Sequence, residues 1–391
     1  MIDFIKSNQW EIKHSSSLRF MGILLSAFHI FAYFDWRSSI TGFFSNGKIF
    51  CWGFFSGCQN YAFLGADQSY LVPTAFIVCA VLATIIFLSP QLIGLSWFFL
   101  LITWGLEIFS YVIDYSLYSP GNTLLILLTG FFLFIPQKLR TLRILILCYY
   151  LTLGAIKLNP GWLTGIWLSE YFHGLSFKAL EWIGASAILI EMLLPLGLFS
   201  RQPNMFFGSF IGLALYQTAV WFYLGSFSAP LCLGTLFFFI FVFFEREKLE
   251  RETVYQSFLR PEPSKAWVPA GIVIYLLLQT APLFIGPVKA QDFPFRIHSY
   301  KLPLNCYQHT FSRSGSHLLH VDSSFHQGSG IFKCHDRVKK HQAMDLCRQD
   351  PPGSVSYVES YFGRRSFADK TYTPIFEFNE KCEVLKKTEA L

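Results

Sequence analysis

The segment Tyr149 to Gly174, YYLTLGAIKLNPGWLTGIWLSEYFHG, contains the pattern that is most informative about the fold of this chain. An apolar run ends at a single cation, Lys157, and a Pro-Gly pair at residues 160 and 161 follows almost at once. Proline and glycine interrupt helices, so the pattern predicts an apolar helix with one lysine at its end. The Trp-rich segment beyond the break is typical of chain that stays close to a membrane surface.

The composition places this helix in a membrane. Of the 391 residues, 53% are hydrophobic and only 14% are charged, whereas soluble proteins have about 25% charged residues. Phenylalanine alone contributes 44 residues, more than a soluble core would bury. We therefore expect a multi-pass membrane protein in contact with lipid. The net charge of +6 does not indicate a nucleic-acid partner, because the basic residues cluster beside helix ends.

Nine apolar runs are candidate membrane spans. They cover residues 17–35, 70–88, 92–113, 119–136, 142–157, 178–199, 205–225, 227–244 and 267–286. The predicted fold is an all-α multi-pass membrane bundle of about nine helices, followed by a small α+β domain that contains disulfides. The expected divisions are a cytoplasmic lead-in at 1–16 without a cleavable signal peptide, a transmembrane domain at 17–286 and a soluble domain at 287–391.

Lysine and arginine residues set the expected orientation, because cytoplasmic loops of membrane proteins are enriched in both. With the N-terminus inside, the inner segments contain twelve of these residues, and the outer connections before the tail contain four. Nine spans then place the C-terminal domain outside a bacterial cytoplasmic membrane or its equivalent. The sequence gives no indication of the oligomeric state.

The cysteines agree with this orientation. Three of them fall in predicted spans, where cysteine acts as a small apolar residue, and six lie on the predicted outer side, where disulfides form in an oxidising compartment. The spans contain Cys79, Cys148 and Cys232, the first outer loop contains Cys51 and Cys58, and the tail contains Cys306, Cys334, Cys347 and Cys382. We expect Cys51 to pair with Cys58 and the tail cysteines to pair among themselves, in one of three arrangements.

Residues 287–391 are predicted to form one small soluble domain. Its pattern predicts a helix over 334–350 and strands over 353–362 and 371–382. Seven of the ten histidines lie in this tail. Their spacing fits no zinc pattern well, so we expect solvated histidines and no bound metal.

Lys157 allows two interpretations from residue type alone. In the first, the lysine lies at the end of a helix and extends its ammonium to the membrane interface. In the second, the lysine acts as a base, since an amine in a low-dielectric pocket can be neutral near pH 7. Arginine at this position would satisfy the first role and not the second, because a guanidinium keeps its proton.

The sequence around Lys157 resembles that of a known enzyme family. AIKLNPGWLTGIWLS, preceded by an aromatic-rich helix, is similar to a segment of the vitamin K-dependent γ-glutamyl carboxylases that runs approximately A-G-x-K-K-L-x-x-x-W-x-x-G. It is also similar to the corresponding segment of the wider HTTM (horizontally transferred transmembrane domain) superfamily, which includes relatives of sporulation-delaying protein B. The matching positions are Ala155, Lys157, Leu158, Trp162 and Gly165. With the predicted topology, the resemblance extends over residues 15–290.

The resemblance implies a chemistry for Lys157. In the carboxylases, a lysine at this position is the base that deprotonates vitamin K hydroquinone. Reaction with O2 then yields a stronger base, which removes the γ-proton of a glutamate so that CO2 can add. The chain departs from the family in two features. Asp114 is followed by YSLYSPGN, without the histidine of an Asn-Asn-His-like element, and a short tail replaces the large soluble domain.

Other residues are candidates for binding a quinone or a substrate. Glu107 lies about six residues from the predicted outer end of its span and Glu191 about thirteen, which corresponds to depths of roughly 9 Å and 20 Å. By depth, Glu107 and Glu181 can approach Lys157, and Glu191 cannot easily do so. A structural role, in which each acid is paired with a polar neighbour, explains the presence of these acids in a membrane span equally well. The candidate binding residues are Trp162, His173, Glu107 and Glu181.

Three functions follow as hypotheses. The first is a membrane enzyme that uses a reduced quinone, with O2 and CO2, to modify a peptide or protein at the outer face. The second is a non-enzymatic accessory protein for the maturation or export of a secreted peptide. The third is a quinone-linked thiol oxidase. Such oxidases use a C-x-x-C pair, whereas the six-residue spacer in CWGFFSGC (residues 51–58) favours a structural disulfide.

The predicted orientation can be tested with engineered single cysteines and a membrane-impermeant thiol reagent on intact cells. We expect a cysteine at position 370 to be labelled and one at position 250 to be protected, because the cation bias places 245–265 inside. Labelling at 250 and protection at 370 would reverse the orientation.

Overall fold

The computed structural model describes most of the helical part of the chain and the strands of the tail. The described residues are 2–46, 71–113, 120–158, 160–165, 168, 172, 174–224, 228–245, 271–277, 279, 306–314, 317–321, 357–365 and 372–381. The chain divides into two compact units, Met1–Ser299 and Tyr300–Leu391. This division falls close to the predicted boundary at 286.

The first unit is helical throughout its described part. Its helices are α1 (Ile2–His14), α2 (Ser16–Asn46), α3 (Leu71–Ile86), α4 (Ile93–Ile113), α5 (Pro120–Phe134), α6 (Lys138–Ile156), α7 (Pro160–Leu163), α8 (Phe177–Gly197), α9 (Pro203–Leu224) and α10 (Ser228–Glu245). Residues 271–277 are also helical. Helices α5, α7 and α9 begin at a proline, a position where a backbone N–H would have no acceptor within the helix. Helix α8 is capped by Ser176, whose hydroxyl oxygen accepts from the Ala179 N–H at 3.3 Å.

Six helices of the described chain are long and apolar enough to cross a membrane. They are Ser16–Phe34, Pro90–Val112, Lys138–Ile156, Phe177–Gly197, Pro203–Tyr223 and Ser228–Glu245, and Leu71–Ile86 and Gly121–Phe134 are shorter apolar helices. The predicted membrane bundle is therefore confirmed in its general form. The count of nine stays a prediction, because the ninth span, 267–286, is described only at 271–277 and 279.

Burial differs sharply between the helices. Helix α5 is buried along nearly its whole length and packs against α2, α4, α6 and α10. Helices α8 and α9 instead expose rows of large apolar side chains, such as Trp182, Leu189, Leu215 and Phe222. Because a soluble protein rarely exposes an apolar surface of this extent, these faces are the ones that contact lipid.

Helix α1 is held to the bundle by polar contacts, so the predicted lead-in is a packed helix. The Glu11 carboxylate accepts from the backbone N–H groups of Gln137 at 2.9 Å and Lys138 at 3.0 Å. It thereby caps the start of α6, whose first amides have no partner within the helix. The Lys138 ammonium in turn donates to Asn8 Oδ1 at 2.8 Å.

The second unit contains a four-stranded antiparallel sheet. Its strands are β1 (Cys306–Ser314), β2 (His317–Val321), β3 (Tyr357–Arg365) and β4 (Tyr372–Lys381), in the order β2-β1-β3-β4. The structure thus has strands over both segments for which the sequence predicts them. The predicted helix at 334–350 lies outside the described residues.

Candidate functional site

Lys157 lies directly after the last residue of α6. Its backbone N–H donates to Gly154 O at 3.1 Å, which closes the final turn of the helix. Its side chain is only 12% exposed. Lys157 is therefore a mostly buried cation, and its side chain needs partners within the bundle.

Two polar side chains supply these partners. Lys157 Nζ forms an ion pair with Glu191 Oε1 of α8 and donates to the Tyr216 hydroxyl of α9 at 3.2 Å. Tyr216 donates to the same Glu191 Oε1 at 2.8 Å. We call these three residues the Lys157–Glu191–Tyr216 triad. It joins three helices through groups that each contact both of the others.

Aromatic rings surround the Lys157 ammonium. Nζ lies 5.1 Å from the centroid of the Trp162 ring and 5.8 Å from that of the Tyr216 ring. Both distances are within the range of cation–π attraction. The two rings thus add to the contacts that Glu191 and Tyr216 make with this side chain.

Glu191 is the most deeply buried member of the triad, with 2% of its surface exposed. Its Oε1 accepts both donors of the triad. Its Oε2 is buried and has no hydrogen-bond partner within the described part of the chain. The burial of this oxygen is therefore not compensated by a hydrogen bond from the described residues.

The relative positions of α6 and α8 explain why Lys157 meets Glu191. Gly154 lets the two helices approach closely, since a β-carbon there would lie only 2.5 Å from the Met192 Cγ of α8. Arg143, near the start of α6, lies over Phe199, just after α8, so the two helices run antiparallel. Side chains on a helix incline toward its N-terminus. The side chains of Lys157 and Glu191 are therefore directed toward each other.

The chain after α6 continues alongside the first half of α8. Gly165 has a φ of +68°, a conformation that glycine adopts without strain. A β-carbon there would lie 2.5 Å from the backbone carbon of Leu180, so no larger residue fits. This turn keeps the segment close to α8 and places Trp162, which is 7% exposed, beside Lys157.

An apolar cavity of about 300 Å³ lies between α8, α9 and the segment after α6. Trp162 and Tyr216 form part of its wall, together with Ala187. Trp182 and Tyr223 also line it and are 68% and 60% exposed on the surface of the helical unit. The cavity therefore extends from the lipid-facing surface to the two aromatic residues that contact Lys157.

The structure corrects the expected pairing of the acids. The expectation that Glu107 and Glu181 approach Lys157, and that Glu191 does not, is wrong. Residue counting assumed that the end of α6 and the start of α8 lie at the same depth, whereas α6 ends beside the second half of α8. Glu181 lies in the first half of α8 and is exposed.

Glu107 belongs to a separate buried cluster. Its Oε2 lies 2.8 Å from His29 Nδ1, and both side chains are fully buried. His29 Nε2 lies 3.1 Å from the Thr129 hydroxyl. This cluster joins α4, α2 and α5, which accounts for an acid at this depth without a catalytic role.

The remaining candidates are only partly covered by the structure. Lys157 and Trp162 are brought together as the sequence suggested. His173, Cys51, Cys58, Cys334, Cys347 and Cys382 lie outside the described residues, and Cys306 begins β1. Cys148 and Cys232 are free thiols in α6 and α10, which are long enough to span a membrane as predicted, and Cys79 is a free thiol in the shorter apolar helix α3.

Sequence reasoning missed Glu191 and Tyr216 as partners of Lys157. A signal for Glu191 was present, because an acid in the middle of an apolar helix needs a partner and Lys157 is the cation at the end of a neighbouring helix. Tyr216 gave no comparable signal. Tyrosine is common in an aromatic-rich membrane protein, and only the packing of α9 reveals its role.

The fold and the site together define an integral multi-pass membrane protein with a charged triad beside a lipid-facing cavity. Comparisons with protein-family models, with curated proteins and with solved structures find no match. The resemblance around Lys157 therefore enters the functional argument as a proposal.

The two acids that the sequence grouped together are expected to behave differently when neutralised. Glu107→Gln should destabilise the protein by about 1–3 kcal/mol, because it alters a fully buried carboxyl group in polar contact with His29. Glu181→Gln is the matched control on an exposed face and should change stability by about 0.5 kcal/mol or less. Unfolding of the purified variants in mixed micelles measures both effects. Equal stability of the two variants would contradict the assignment of Glu107 to a buried cluster.

Proposed function

We propose that this chain is a membrane enzyme that binds a lipid-soluble quinol in the cavity and uses it to modify a peptide or protein at the outer face of the membrane. One observation carries the proposal: the Lys157–Glu191–Tyr216 triad adjoins an apolar, aromatic cavity that extends to the lipid-facing surface. The resemblance of residues 155–165 to the γ-glutamyl carboxylases and the HTTM superfamily supports it and suggests glutamate carboxylation.

The cavity fits a quinol in size and chemistry. A volume of about 300 Å³ lies at the lower end of the range for small-molecule sites, which suits a single aromatic head group. Trp162 and Trp182 offer apolar faces for the ring, and the Tyr216 hydroxyl offers a partner for a ring oxygen. The exposed mouth suits a ligand whose hydrocarbon tail remains in the bilayer.

In this proposal, each residue around the cavity has its own role in binding the quinol or handling its proton. Trp162 and Ala187 exclude water from the ring, Tyr216 orients a ring oxygen, and the Lys157–Glu191 pair supplies a site for a proton beside it. When bound, a reduced quinone supplies the reductant for O2, and CO2 is the second co-substrate if the product is a carboxylated glutamate. No metal is required by this scheme.

The membrane topology in this proposal is the one that the sequence predicts. It comprises nine spans, an inner N-terminus and an outer C-terminal domain stabilised by disulfides. Under this topology the tail lies on the same side as the peptide or protein substrate. Mass spectrometry of peptides exported with and without the protein would detect one added CO2 per modified glutamate.

Binding of a quinone to the purified protein in nanodiscs tests the proposal directly. We expect menadione to quench the intrinsic tryptophan fluorescence saturably, since two tryptophans line the cavity. Ala187→Phe should weaken binding about tenfold or more, because it fills the cavity. Leu189→Phe is the control, since Leu189 is 56% exposed on the same helix, and it should leave binding unchanged.

Two results would contradict the proposal. Quenching that does not saturate would show that the protein has no quinone site. Saturable quenching that Ala187→Phe leaves unchanged would place the site elsewhere. Either result would favour an accessory protein in the maturation of an exported peptide, with a cavity filled by lipid.

A further inference from the structure

We infer that Glu191 is the proton acceptor of this site, that Tyr216 relays the proton from the cavity to it, and that Lys157 stays charged throughout. The inference rests on the proposed function and deepens it. It differs from the role that the resemblance implies, in which the amine of Lys157 is itself the base.

Every contact of the Lys157 side chain favours its ammonium. Nζ is ion-paired with Glu191, donates to Tyr216 and lies over the Trp162 ring. A neutral amine would lose the ion pair and the cation–π attraction while remaining mostly buried. In this arrangement Lys157 is the cationic partner of the ion pair.

The contacts of the Glu191 carboxylate compensate for its burial less completely than those of Lys157 do. Its Oε1 has two donors, but its Oε2 has none within the described residues. A carboxylate in such a place has incomplete compensation for its burial, and protonation removes that cost. An ammonium has no lone pair for a further proton, so Glu191 is the member of the ion pair that can accept one.

Tyr216 is the member of the triad that reaches the cavity. It lines the cavity and donates to Glu191 at 2.8 Å. Neither Lys157 nor Glu191 is among the described residues that line the cavity. A proton that leaves a ligand in the cavity therefore reaches Glu191 through the Tyr216 hydroxyl.

The proposed step is a proton transfer that balances in atoms and charge. Tyr216 accepts the proton of the ligand hydroxyl while its own proton passes to Glu191 Oε1, and the electron pair of the broken O–H bond stays on the ligand oxygen. The negative charge thus moves from Glu191 to the ligand oxygen. Lys157 donates to the Tyr216 oxygen at 3.2 Å, so its unchanged positive charge stabilises both states.

The test uses menadiol as the probe, with the purified full chain in nanodiscs without O2. Two quantities are measured: the affinity, from tryptophan quenching, and the ionisation of the bound probe, from its ultraviolet absorbance near neutral pH. We expect the wild type to bind the probe in ionised form. Glu191→Gln keeps an oxygen that accepts from Lys157 and Tyr216, so it should bind within about threefold of the wild type but leave the probe neutral.

Three further variants separate the roles. Tyr216→Phe should also leave the bound probe neutral, because the relay hydroxyl is gone while the carboxylate remains. Lys157→Arg should keep the ionisation, since a guanidinium supplies the same charge. Thr218→Val is the control, because it removes a hydroxyl of α9 that bonds only to Ala214 O among the described contacts, and it should behave as wild type.

The outcomes distinguish this inference from the proposed function. Ionisation that survives in Glu191→Gln and disappears in Lys157→Arg would overturn the inference and make Lys157 the base. Saturable binding of a probe that stays neutral in the wild type would also overturn it, while the proposed quinol site would stand. Absence of saturable binding in the wild type would overturn both.

Discussion

The ion pair between Lys157 and Glu191 is the constraint on which the arrangement of α6, α8 and α9 depends. A lone charge inside a membrane bundle costs several kcal/mol, so neither residue is tolerated there without the other. The pair fixes the end of α6 against the second half of α8, and Gly154 leaves room for the Met192 side chain of α8 beside it. Tyr216 then joins α9 to the same carboxylate oxygen.

The position of this pair also creates the cavity. Because α6 ends beside the second half of α8, the first half of α8 extends past it and packs against the segment that contains Trp162 and Gly165. Space remains between that segment, α8 and α9, and its walls are apolar because these faces otherwise contact lipid. A buried ion pair thus lies behind a lipid-accessible cavity, which is the combination on which the proposed quinol chemistry rests.

The rest of the helical unit is held by polar contacts that have no link to this cavity. His29, Glu107 and Thr129 join α2, α4 and α5, and the Glu11 carboxylate caps α6. Between helices in lipid, where apolar burial gives little preference for one packing over another, such hydrogen bonds select the arrangement. Two buried acids in one bundle therefore have different tasks, and depth alone does not distinguish them.

Much of the fold could be predicted from the sequence, because apolar length is a local property and marks each helix without knowledge of its neighbours. The end of α6 after Ile156 followed from the Pro-Gly pair, and Trp162 followed from its place in the segment beyond. The partner of Lys157 could not be predicted, since it depends on how far α8 extends past α6. That offset arises from glycine contacts at Gly154 and Gly165, which only the assembled helices reveal.

A double-mutant cycle on Lys157 and Glu191 tests the central claim most directly. The free energy of unfolding in mixed micelles is measured for the wild type, Lys157→Met, Glu191→Met and the double variant. Each single change leaves a buried charge without its partner and should cost about 3–5 kcal/mol. The double variant should recover most of that loss as coupling between the two positions. Strictly additive losses would show that the two side chains do not form a pair and would contradict the account.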